Sequence, residues 1–255
     1  MKKIIIHGGC GAREEPSTPF EAYHEHLMPI ITAAYEYLVK SNNAVETALL
    51  AASLLEDDSI FNAGTGSRVQ QDGQIRMSAA YMDSIKNKFS GVINIQNVQY
   101  PSRVAKELQN QHHSILSGEH ATNHAYQVLK MKPYNPMTDK RWNEYIELKK
   151  GLTGTIGVVV LDDNDVICAI TSTGGAGFEV PGRVGDSPTV AGNFASSAMG
   201  ISCTGIGEEI VNRAVAAKIH TRVIDGMSLQ DAINKSIAES DSTNDYVGLI
   251  AIDKD

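Results

Sequence analysis

Gly154-Thr155-Ile156-Gly157-Val158-Val159-Val160-Leu161 is an apolar, β-branched run that opens on a threonine, and a second run, Val166-Ile167-Cys168-Ala169-Ile170-Thr171, follows it. Between them lies Asp162-Asp163-Asn164-Asp165, a tight polar turn, so the two runs read as strands of one hairpin. Thr155 is preceded by a glycine at the end of a segment, Pro133 to Gly154, that carries two prolines, basic residues and little apolar periodicity. That segment reads as an exposed linker.

Working outward, Lys3 to His7 is a short β-branched strand, interior by composition. A helical pattern starts near Ser17-Thr18-Pro19 and carries Phe20, Tyr23, Leu27, Ile31, Ala34 and Leu38, with Pro29 expected to kink or restart it. Asn43 is placed to cap a second helix through Leu55. Phe61 to Ser67 is a glycine-rich loop, and Gln74 to Met82 and Phe89 to Ile95 are strand-like. Ser102 to Leu108 and His120 to Met131 read as helices. Beyond the hairpin, Thr204 to Glu208 leads into a helix with Ile210, Ala214 and Ala217 inward. Ser228, with Asp231 three residues on, caps a last helix to about Ser240, and Tyr246 to Ile252 closes as a strand. Strands and helices come in blocks, which indicates an α+β class with helices covering a largely antiparallel sheet.

Bulk properties exclude several roles. With 255 residues, 42% hydrophobic and 20% charged, the chain is of globular composition. Its formal charge of -8, and the lack of any Lys or Arg run longer than two, argue against nucleic acid or anionic lipid as partner. The run Ile4-Ile5-Ile6 is too short for a signal peptide or a membrane span, so a cytoplasmic location is expected. Cys10, Cys168 and Cys203 form no CxxC pair and suggest neither a disulfide framework nor a cysteine-rich metal site. HExxH, GxxxxGK[ST] and GxGxxG are all missing, which leaves His120 and His124 weak metal candidates and a nucleotide site poorly supported.

The remaining chemistry lies in hydroxyls and one charged turn. Taken alone, Thr155 is a strand threonine. The chemical alternative is that its hydroxyl attacks the Gly154 carbonyl and cuts the chain, freeing an α-amine of pKa about 7.7 to 8.0 that serves as base for that same hydroxyl. Glycine at position 154 leaves its carbonyl unobstructed. Thr171 and Thr173 share one side of their strand, followed by Gly174-Gly175. Arg183 and Asp186, in the turn Pro181 to Pro188, form either a surface ion pair or a clamp for the carboxylate and ammonium of an amino acid. Thr204-Gly205 is either a capping turn or a hydroxyl and N–H for an oxyanion.

Together, His7-Gly8-Gly9, Asn62 to Gly66, Gly154 to Gly157, Thr171 to Gly175, Gly182 to Pro188 and Cys203 to Glu208 resemble, in order, the plant-type asparaginase and isoaspartyl peptidase family of N-terminal-nucleophile hydrolases. The resemblance implies a four-layer αββα sandwich, one domain over 1–255, made as a precursor and cut into an α chain, 1–154, and a β chain from Thr155. It implies Thr155 as nucleophile and base, Thr173 as its hydrogen-bond partner, and Thr204 with the Gly205 N–H as oxyanion hole. Arg183 and Asp186 would hold the substrate's α-carboxylate and α-ammonium, with Gly207 also binding substrate and Asn62 binding it from beside the nucleophile. It also implies a structural sodium ion held by Leu55, Glu56, Asp58, Phe61, Ala63 and Thr65, mainly through backbone carbonyls, and no cofactor for catalysis. The expected substrates are L-asparagine and β-aspartyl dipeptides, and the expected assembly is a homodimer of αβ units. A taspase-like endopeptidase and a non-maturing homologue are the alternatives. The chain departs from the family at Ala176 to Glu179, at Ile206 in place of His, at Ser78 in place of Asp, and in ending at Asp255.

Overall fold

The computed structural model describes residues 1–10, 20–147, 154–241 and 246–255. A six-stranded sheet has the order β1-β5-β6-β2-β3-β4, formed by β1 (Lys3–His7), β2 (Met77–Asp83), β3 (Ser90–Ile95), β4 (Ile115–Ser117), β5 (Thr155–Leu161) and β6 (Ile167–Thr173). Neighbours are antiparallel except β3 and β4. A second, antiparallel sheet orders β7 (Asn193–Ala195), β8 (Met199–Gly205) and β9 (Val247–Asp253). The hairpin expected from the sequence is β5 and β6, in register from Thr155 opposite Thr173 to Leu161 opposite Ile167.

Alternation along β5 shows how the sheets are covered. Ile156, Val158 and Val160 join a core with α1 (Phe20–Ser41), α2 (Ala44–Asp57), α3 (Pro101–Leu108) and α4 (Gly118–Gln127). Val159 and Leu161 face the other way, into a cluster with Ile167, Ala169, Ala195 and Ile252 that joins the two sheets. The sheets approach closely at Gly200, where a Cβ would lie 2.7 Å from Val159 and Ile167 side-chain carbons. On the small sheet, Met199, Ile201 and Cys203 pack with Ile210, Val215, Ala216 and Ile219 of α6 (Gly207–Arg213) and α7 (Val215–Ile224), and with Ala232 of α8 (Leu229–Asp241). A strand buried on both faces must be apolar at every position, which accounts for the unbroken run that opens the hairpin.

Five expectations change. β1 is an edge strand, only partly buried, although its composition suggests the interior. Its isoleucines record two covered faces, Ile4 and Ile6 on one core and Ile5 on the other, and composition says nothing about its neighbours along the sheet. Helix α1 does not restart at Pro29 but runs on through it, and Pro29 is exposed, so water can reach the carbonyl that the missing N–H leaves free. The segment expected as a linker holds α5 (Asp139–Ile146), capped by Thr138, whose hydroxyl accepts the Arg141 N–H at 3.3 Å. Its buried residue is Arg141, so no apolar period marks it. Ala214 is exposed and left-handed (φ 49) and ends α6, so Val215, Ala216 and Ile219 point inward in place of Ala214 and Ala217. The strand β8 takes in Thr204 and Gly205, which the sequence places simply ahead of a helix. Ser17 to Pro19 and residues 148–153 lie outside the described residues.

Candidate active site

The start of β5 and the end of β6 are paired, which brings Thr155 opposite Thr173. Thr155 Oγ1 donates to Thr173 Oγ1 at 3.2 Å, and Thr173 Oγ1 accepts the Gly175 N–H at 3.1 Å. Both threonines are nearly buried, at 7% and 8% exposure. Thr171, two residues earlier, turns to the gap between the sheets, where its hydroxyl bonds Asn193 Oδ1 at 2.9 Å and Ser202 Oγ at 2.6 Å. It is a core polar residue.

The Gly154–Thr155 peptide is enclosed by two other segments. Gly9, left-handed at φ +109, lies so near that a Cβ there would be 2.8 Å from Gly154 Cα and 3.2 Å from Thr155 N. A Cβ on Gly154 would lie 3.1 Å from Asn62 Cβ. Asn62 is itself fixed, donating to the Gly175 carbonyl at 2.6 Å and accepting the Arg68 N–H at 2.9 Å. His7 seats the glycine loop: its Nδ1 accepts the Gly9 N–H at 3.1 Å and its Nε2 lies 3.3 Å from Ser202 Oγ. Burial pulls the His7 pKa down to about 4, so the ring is neutral and free to accept at Nδ1.

Thr155, Thr173 and Gly154 line one cleft with Gly175, Arg183, Asp186, Gly205 and Gly207. Gly207 sits between the charged groups, since a Cβ there would lie 2.9 Å from Arg183 Nη2 and 3.0 Å from Asp186 Oδ1. Asp186 is buried and its Oδ2 has no hydrogen-bond partner, and this desolvation raises its pKa to about 7. Arg183 binds Glu208 through Nε at 2.6 Å and Nη2 at 2.7 Å, and Glu179 through Nη1 at 3.1 Å. Bonding to Glu208 holds the guanidinium pKa above its usual value, and the same contact lowers that of Glu208. The plain surface pair between Arg183 and Asp186 is not formed; two other carboxylates hold the arginine. Thr204, at the end of β8, turns its hydroxyl to accept the Cys10 N–H at 3.3 Å, while Gly205, at φ +139, allows the chain to pass Tyr246.

Sequence reasoning missed Arg76, Ser78, Asn94 and Glu179 as cleft residues. Glu179 and Ser78 each carried a signal, because both fall where this chain departs from the family pattern. Arg76 and Asn94 carried none, since the strand crossings that bring them in are long-range.

The residues expected to hold a cation form the end of α2 and the loop behind it. The loop doubles back: Thr65 N donates to the Glu56 carbonyl at 2.7 Å, Phe61 N to that of Asp58 at 3.1 Å, and Gly64 is left-handed where a Cβ would strike the Glu56 oxygen. Arg141 reaches the Phe61 and Gly66 carbonyls. The expected ligands act mainly through backbone carbonyls, and an all-oxygen donor set is the kind a hard cation takes. The Glu56 carboxylate points elsewhere, accepting from Ser102 N, Ser102 Oγ and Ser172 Oγ. Among the described residues no three His, Cys, Asp or Glu side chains gather as a metal site, and His124 pairs with Glu107. No described helix is long and apolar enough to cross a membrane.

Comparison with known proteins shows the family. A protein from Synechocystis sp. named isoaspartyl peptidase/L-asparaginase is 41% identical over 270 residues, 98% of this chain and 82% of that protein. A plant-type L-asparaginase of Pyrococcus horikoshii is 34% identical over 282 residues, 99% and 90% of the two chains. An isoaspartyl peptidase of Escherichia coli is 34% identical over 277 residues, 98% and 86%. A family model described as asparaginase matches residues 1–153 and 146–255, and the chain therefore belongs to the asparaginase family.

Proposed function

We propose that this protein is a threonine-dependent amidohydrolase that cleaves the β-amide of L-asparagine and the β-aspartyl bond of isoaspartyl dipeptides. The observation that carries the reading is the single cleft in which Thr155, bonded to Thr173, meets Arg183 and Asp186 across Gly207. The names of relatives at 41% and 34% identity point to the same chemistry.

In maturation the Thr155 hydroxyl attacks the Gly154 carbonyl carbon, the peptide C–N bond breaks, and the acyl group moves from nitrogen to oxygen. Water hydrolyses that ester, leaving a Gly154 carboxylate and a free Thr155 amine. In turnover the amine takes the hydroxyl proton and the oxygen attacks the substrate's β-carbonyl. The leaving amine departs with a proton as ammonia or an amino acid, and water releases aspartate from the ester. Thr173 orients the nucleophile, and Thr204 with the Gly205 N–H stabilises the oxyanion. Arg183 and Asp186 select a free α-amino acid end, which argues against an endopeptidase. The carbonyls of Leu55, Glu56, Asp58, Phe61, Ala63 and Thr65 would hold a sodium ion that stiffens the loop carrying Asn62. The clusters joining helices to each sheet and sheet to sheet support a four-layer αββα arrangement. A dimer of cut αβ units is the proposed assembly.

Purified, matured protein is expected to release ammonia from L-asparagine and leucine from β-Asp-Leu, with both activities lost in Thr155→Ala. A fully cut sample that turns over neither refutes the substrate assignment.

A further inference from the structure

We infer that Glu179 is a specificity-determining residue that weakens this site's hold on a substrate α-carboxylate by occupying its arginine. The inference rests on the reading of Arg183 as the carboxylate-binding group. A guanidinium offers five N–H groups. Glu208 takes Nε–H and one from Nη2, and Glu179 takes one from Nη1, so one N–H on each terminal nitrogen remains for substrate.

The two carboxylates are not equivalent. The Glu208 side chain is 56% exposed and water screens its charge. The Glu179 side chain is 7% exposed, and its other partners, the Gln70 amide at 2.9 Å and the Ala176 N–H at 2.7 Å, are neutral. Its charge is therefore screened by water less than that of Glu208. The surrounding chain is built around it: a Cβ at Gly175 would lie 2.1 Å from Glu179 Oε1. Gly175 also donates to Thr173 Oγ1, so this carboxylate lies one residue from the nucleophile's support. An incoming α-carboxylate meets Arg183 beside a fixed like charge, whereas a ligand whose α-carboxyl is an amide does not.

The test compares L-asparagine with L-asparaginamide, which keeps the β-amide and the ammonium but carries no α-carboxylate. In matured protein, Glu179→Gln should lower KM for L-asparagine roughly fivefold, with kcat moving less, and leave KM for L-asparaginamide within about twofold of wild type. Glu179→Asp, which keeps the charge but draws it back from Arg183, should shift KM for L-asparagine the same way by a smaller factor. An unchanged or raised KM for L-asparagine in Glu179→Gln, or equal shifts for both ligands, overturns the inference. So does failure of both variants to fold, which would make Glu179 a structural residue. A cut wild-type enzyme inactive on L-asparagine and β-Asp-Leu alike would instead remove the assignment beneath it.

Discussion

Asp186 is a carboxyl group whose surroundings work against its charge: it is buried, with one oxygen left without a partner, and its pKa rises to about 7. Only its ionised form can hold a substrate ammonium. KM for L-asparagine is therefore expected to climb as pH falls below about 7, by up to tenfold for each unit, while self-cutting is unaffected. A pH series of initial rates on matured protein checks this; a KM flat from pH 8 to 5.5 would mean that Asp186 does not bind the ammonium. Arg183→Ala should likewise raise KM strongly and leave cutting intact, and loss of cutting would show the residue to be structural. Gly9 gives a prediction of a different kind. Its left-handed backbone and its 2.8 Å approach to Gly154 Cα leave no room for a methyl group, so Gly9→Ala should displace the scissile peptide and slow cutting. The strain is on the order of 1–3 kcal/mol. Normal cutting in Gly9→Ala, followed by gel electrophoresis, would show that Gly9 does not position that bond.

At the scale of elements, Glu56 joins α2 to the first turn of α3 and to the end of β6 through three hydrogen bonds. Burial outweighs those bonds and raises its pKa to about 7, above its unfolded value near 4.5. A raised carboxyl pKa contributes stability that is complete below the unfolded value and is lost as pH rises through the folded one. Stability should thus fall between pH 4.5 and 7, with a slope approaching about 1.4 kcal/mol per unit from this group. Glu56→Gln should flatten that part of the curve in denaturant titrations; an unchanged slope would mean that the carboxylate is stable in place.

The elements also show what a sequence can carry. The β5–β6 hairpin, the Asn43 cap, whose Oδ1 accepts the Glu46 N–H at 3.0 Å, and the Ser228 cap of α8 were legible, because each follows from local spacing or a short-range side-chain bond. Helix α5 was not, because its inward residue is Arg141. The edge position of β1 was not, because strand neighbours are set by long-range pairing. At the site, Thr155, Thr173, Arg183 and Asp186 were named from motifs, and they do share a cleft. That Arg183 is held by Glu179 and Glu208 depends on side-chain geometry that no motif encodes.

Across the whole molecule, β5 is the strand that links the scissile bond to the large sheet and its two cores. It pairs β1 and β6, contributes to the cores on both sides of the large sheet, and starts at the bond proposed to break. With Thr155 paired to Thr173 and its peptide enclosed by Gly9 and Asn62, cutting there would free an amine without loosening the strand. This amine is proposed to make the threonine reactive. The direct measurement is intact mass of the purified protein over a long incubation, with ammonia release from L-asparagine followed in the same samples. Fragments 1–154 and 155–255 are expected, with activity that rises in proportion to the cut fraction. Uncut chain with full asparagine turnover would contradict this role of the amine.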